Sequence, residues 1–102
     1  MDSLRILGKV WVVRWAEPSP ILHAHHGHVD YRAQEIVVSQ AQHPDQQLDT
    51  LLHEALHALD HTLKLELSEA QVHALAGGLL ALMRDNPELT ARLGGFEVED
   101  AD

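Results

Sequence analysis

The chain has no cysteine, which excludes a disulfide framework and any thiolate metal site and leaves imidazole and carboxylate as the available ligands. Aromatic residues are scarce. Trp11, Trp15, Tyr31 and Phe96 are the full set, so the core must rest on Leu, Val and Ala, and so thin a core makes a bound metal more valuable to stability. Basic residues are few as well: seven Lys and Arg stand against 16 Asp and Glu, for a formal charge of -9. That balance argues against nucleic acid and anionic membrane as partners, since both are recognised by clustered cations. No apolar run approaches the ~20 residues that span a bilayer. The opening "MDSLRILGKVWVVRWAEP" lacks the basic start and small-residue cleavage site of a secretory signal. The expectation is a single cytoplasmic domain over 1–102 with an acidic tail, 96–102, that frays.

Val, Ile and Trp dominate "LRILGKVWVVRW", which reads as strand over 4–7 and 10–15 with Gly8-Lys9 as a turn or bulge. Pro18 and Pro20 then end the pairing. A cluster of His23, His25, His26 and His28 surrounds Gly27, either as an exposed loop or as an auxiliary metal or substrate contact. "HVDY" and "EIVVS" form a hairpin across Arg32, Ala33 and Gln34. Pro44 and Asp45 open a helix in which Leu48, Leu51, Leu52, Ala55, Leu56, Leu59 and Leu63 recur at three- and four-residue steps. Ser68 with Gln71 makes a capping box for a second helix, whose expected buried face is Val72, Leu75, Ala76, Leu79, Leu82 and Met83. Gly77-Gly78 in its middle suggest close approach of another backbone. Asn86, Pro87 and Gly94 bound a short third helix. The class is α+β.

Histidine is what the chain has in abundance, nine in 102 residues, and His53, Glu54 and His57 spell H-E-x-x-H. Composition alone yields that pattern in roughly six per cent of such chains, so its position must decide. The pattern falls on the amphipathic helix, where residues four apart share a face: His53 and His57 can present two imidazoles to one metal. Glu54 lies about 100 degrees around the axis and is placed to act on a water held by that metal. A catalytic zinc takes a third protein ligand and keeps one position open. With the hairpin of helices centred near residues 65 and 66, the position level with His57 is His73. Glu69, one turn earlier on the same face, is the rival, with His61 and Asp60 further alternatives.

These residues resemble the zincin metallopeptidases, in particular the very small single-domain members, of minigluzincin size, often encoded in phages and prophages, with the ImmA/IrrE-like peptidases as larger relatives. "GHVDYRAQEIVVS" looks like their hairpin, "LDTLLHEALHAL" like their active-site helix and "LSEAQVHALAGGLLALMRDNPEL" like their second helix, so the resemblance covers residues 5–90. It implies a small antiparallel sheet on the active-site helix, with "EIVVS" as the edge strand that pairs with an extended peptide substrate. It implies one Zn2+, Glu54 as the acid–base residue, and an oxyanion-stabilising group among Tyr31, His61 and the histidines of 23–28. Relatives commonly use an acidic third ligand. A metal-stabilised peptide-binding module without hydrolysis, and a histidine-rich metal buffer, are the competing functions.

Overall fold

The computed structural model describes residues 1–17 and 26–95. His23 and His25, Pro18 and Pro20, and the tail 96–102 lie outside the described residues. The fold is α+β: strands β1 (Ser3–Ile6), β2 (Lys9–Ala16), β3 (Gly27–Asp30) and β4 (Glu35–Ser39) precede helices α1 (Pro44–Leu63), α2 (Glu69–Asp85) and α3 (Pro87–Leu93). Among the described residues, no helix is long and apolar enough to cross a membrane.

Strands β1 and β2 form a hairpin whose turn is Leu7-Gly8, one residue earlier than expected, with Ile6 opposite Lys9. Both turn residues have positive φ (49° and 82°), the requirement of a two-residue turn that follows strand twist. The second hairpin, β3 to β4, pairs Asp30 with Glu35 across residues 31–34, and the Asp30 carboxylate accepts the Ala33 N–H at 3.0 Å to hold the turn.

Strand order is β1-β2-β4-β3, and β2 pairs with β4 in parallel, Val13 beside Ile36 and Trp15 beside Val38. This corrects two expectations. The sheet is mixed and not antiparallel, and "EIVVS" is an interior strand bonded on both sides, while β3 takes the edge. The run Ile36-Val37-Val38 is buried throughout, as an interior strand requires and an edge does not.

Helix α1 lies on one face of this sheet. Its Leu51 and Ala58 complete a core with Ile6, Trp11, Val13, Ile36 and Val38, flanked by Ala55 and Leu59. Pro44 starts it, and Lys64 ends it in the left-handed region. Helix α2 carries the expected capping box: the Gln71 N–H donates to Ser68 Oγ at 3.1 Å and the Ser68 N–H to Gln71 Oε1 at 2.8 Å. It buries only Val72 and Ala76. Leu75, Leu79 and Leu82, expected inside, are exposed.

Candidate metal centre

Ser68 and Gln71 fix the first residue of α2, and that residue is Glu69. Its carboxylate reaches back onto α1 and meets both histidines: Oε1 stands 2.6 Å from His53 Nε2 and Oε2 stands 2.9 Å from His57 Nε2. The two Nε2 atoms are 3.2 Å apart. Among the described residues these three side chains form a group whose ligand atoms all lie within 4.8 Å of one another. His73 is not a member. Its ring centroid stands 6.1 Å from that of His53, and it forms part of the wall of the adjoining cavity. Of the two candidates weighed for a third ligand, the structure brings Glu69, the rival, against the histidine pair and leaves His73 outside the group.

The reason is the connection between the helices. Level-matched antiparallel helices would set His73 opposite His57. Instead Lys64 and Glu66 both have positive φ (55° and 60°), and the chain reverses sharply around Asp60, whose carbonyl accepts the Leu65 N–H and whose carboxylate accepts the Leu67 N–H. The first turn of α2 is thereby carried over the histidine pair. Asp60, a further ligand alternative, is spent on this turn.

The donor set is of the kind a metal ion takes. Tetrahedral coordination with metal–nitrogen bonds of 2.0–2.1 Å separates ligand atoms by about 3.3 Å; the two imidazole nitrogens match this at 3.2 Å, while the carboxylate oxygens stand closer to them, at hydrogen-bonding distances of 2.6 and 2.9 Å. The protonation chemistry agrees. Burial works to raise the Glu69 carboxyl, but His57 and His53 beside it outweigh that and hold it below the usual range, so it is ionised. With an ionised Glu69, Nε2–H on both rings makes both carboxylate contacts hydrogen bonds, and a cation in place of those two protons would be held by the same three side chains.

Glu54 sits beside this group and only 8% of it is exposed. No hydrogen bond or ion pair to its side chain is present among the described residues. Burial pushes its carboxyl up to about 7, the nearby His57 pulling it down and Glu69 adding to the rise. It forms part of the wall of a cavity of about 260 Å³ together with His26, Gly27, Asp49, Thr50 and the histidine group. Gly27 makes room for this arrangement. A Cβ there would stand 2.8 Å from Thr50 Cγ2, 2.8 Å from the Val37 carbonyl oxygen and 3.3 Å from Glu54 Cγ, so β3 crosses α1 at a separation that only glycine permits.

The other candidates are divided. Tyr31 stacks on His61 (centroids 4.2 Å apart, 23° between planes) and meets the edge of Trp11. Burial, then Glu54, Asp60 and Glu69, raise its hydroxyl above the usual value, which keeps it a neutral hydrogen-bond donor. His26 lines the cavity, and its carbonyl accepts from Ser39 N–H and from Gln42 Nε2. His28 alternates with Gly27 and projects from the opposite face of β3. Asp49, Thr50 and Gln42 were not singled out from sequence. Thr50 Oγ1 donates to Gln42 Oε1 at 2.7 Å, and Gln42 Nε2 donates to the His26 carbonyl at 3.3 Å, linking α1 through the β4–α1 connection to the residue before β3. Asp49 carried a usable signal, standing four residues before His53.

No protein-family model, curated protein or solved structure matches the chain.

Proposed function

We propose that the chain is a metal-dependent peptidase, with Zn2+ as the ion that two imidazoles, one carboxylate and an open position suit. The observation that carries this reading is the meeting of His53, His57 and Glu69 beside a buried Glu54 that has no partner among the described residues. His53, His57 and Glu69 are the residues that would hold the ion. When bound, it supplies Lewis acidity toward a carbonyl and toward water. Glu54 takes the proton of the attacking water on its carboxylate and returns it to the leaving amine. Tyr31, held by its stack on His61, is the donor for the oxyanion. The substrate is an extended polypeptide, added as a strand to the edge of β3 that no described strand pairs, which borders the cavity at Gly27.

Elemental analysis and zinc titration at fixed pH, paired with a peptide-cleavage assay, test this. The expected result is one zinc per chain in the wild type and in Glu54→Gln and His73→Ala, none in Glu69→Ala, and cleavage lost in Glu54→Gln. Zinc binding with no cleavage in the wild type would make the chain a metal-stabilised peptide-binding module. No tight zinc would remove the peptidase reading altogether.

A further inference from the structure

The cavity extends beyond His53 toward the start of α1, where Asp49 forms part of its wall. Four residues before His53, Asp49 stands one turn away on the same helix face. It lies past the first turn, so complementing the helix dipole, which Asp45 does, is not its reason for being there. No hydrogen bond or ion pair to its carboxylate is present among the described residues. Three of the eight residues forming the cavity wall are carboxylates and none is Lys or Arg. One of the three is Glu54, nine-tenths buried, part of the same wall and without a partner among the described residues, so the cavity holds acceptors that no described residue satisfies. The charge of -9 adds a long-range field of the same sign.

We propose that Asp49 is the specificity-determining residue of this site and receives the ammonium or guanidinium of a Lys or Arg side chain flanking the bond to be cut. This rests on the peptidase reading above. The chemistry recognised is an organic cation, and a free peptide N-terminus offers the same group, so the experiment must separate the two sources.

Full-length protein is titrated by NMR, with and without Zn2+, with Nα-acetyl-lysine amide, with its uncharged isostere Nα-acetyl-norleucine amide, and with norleucine amide carrying a free amine. In parallel, N-acetylated quenched peptides with Lys, Arg, norleucine or Glu around the cleaved bond are assayed on the zinc-loaded protein. The lysine amide is expected to shift the amide of Asp49 and to bind about fivefold more tightly than its isostere, the scale of a half-exposed ion pair. Asp49→Asn loses that ratio while keeping norleucine binding and zinc stoichiometry, and Asp49→Lys turns the preference toward Glu peptides. Equal binding of the lysine and norleucine amides, or a ratio that survives Asp49→Asn, overturns the proposal. A preference shown only by the free amine overturns it too and assigns Asp49 to the peptide terminus. Cleavage without a basic preference sinks this inference and leaves the peptidase standing, whereas lysine-amide binding at Asp49 with no cleavage overturns both as stated and leaves Asp49 a cation-binding residue of a site that does not cut.

Discussion

A carboxylic acid removed from water and given no hydrogen-bond partner resists ionisation, and for Glu54 burial is the largest cause of a value pushed up to about 7 from 4.5. In the metal-free protein this fixes the sign of a pH effect. Between those two values the unfolded chain releases the proton and the folded chain keeps it, so rising pH favours unfolding. The stability associated with the protonated form is fully present below 4.5 and is lost as pH rises through 7. From about pH 4 to about pH 8, metal-free wild type should therefore lose on the order of 3 kcal/mol relative to Glu54→Gln, which does not titrate. Urea midpoints at unchanged m-value measure it, and parallel pH profiles for the two proteins would mean that Glu54 ionises as in water. His53, Glu54 and His57 were legible in the sequence because their geometry is internal to one helix. Glu69 was only a rival there, since its place depends on two left-handed residues, Lys64 and Glu66, that no periodicity announces.

At the scale of elements, glycine separates what the sequence suggests from what packing demands. The pair Gly77-Gly78 reads as a close backbone approach, yet a Cβ at either position would meet nothing within 4 Å; the close approach is at Gly27. Opposite outcomes follow. Gly77→Ala and Gly78→Ala should each stabilise by about 0.5–1 kcal/mol, the helix-propensity difference. Gly27→Ala should cost about 1–3 kcal/mol by overpacking and weaken the site, because the atoms in the way include the Val37 carbonyl and the Thr50 methyl. Thermal melts of the three variants decide it, and a neutral Gly27→Ala would mean that β3 does not cross α1 this closely. Strand and helix positions were legible to within a residue or two, since period, capping box and turn chemistry are local. Strand order was not: that β4 pairs in parallel with β2 and cedes the edge to β3 is set by which faces the core must bury, as the unbroken apolar run of 36–38 shows in retrospect.

At the scale of the whole molecule, α2 is thinly secured by burial for a helix of 17 residues. Only Val72 and Ala76 are inside, Leu75, Leu79 and Leu82 face outward, and the Arg84–Asp45 pair to α1 is exposed and contributes at most about 1 kcal/mol. Part-buried Leu80 and Met83 border an apolar cavity with Leu48, Leu51, Leu52 and Ala55 of α1, and Glu69 adds a polar tie on the His53–His57 pair, with 70% of its side chain exposed. A cation shared by these three residues would join α2 to α1, so its binding free energy becomes stability of that junction. Zinc at one hundred times its dissociation constant adds about 2.7 kcal/mol, which for a domain of this size raises Tm by about 10–20 °C, and chelation reverses it. Glu69→Ala should show no such shift. Hydrogen exchange locates the effect: any opening of α2 that breaks the centre is suppressed about 100-fold by that zinc concentration, whereas fraying of the β1–β2 hairpin leaves the centre intact and keeps its rate. Slowing at Leu75 and Leu79 with no change at Leu7 and Gly8 is the expected pattern. Unchanged exchange in α2 would place the ion on α1 alone and remove Glu69 from its ligands.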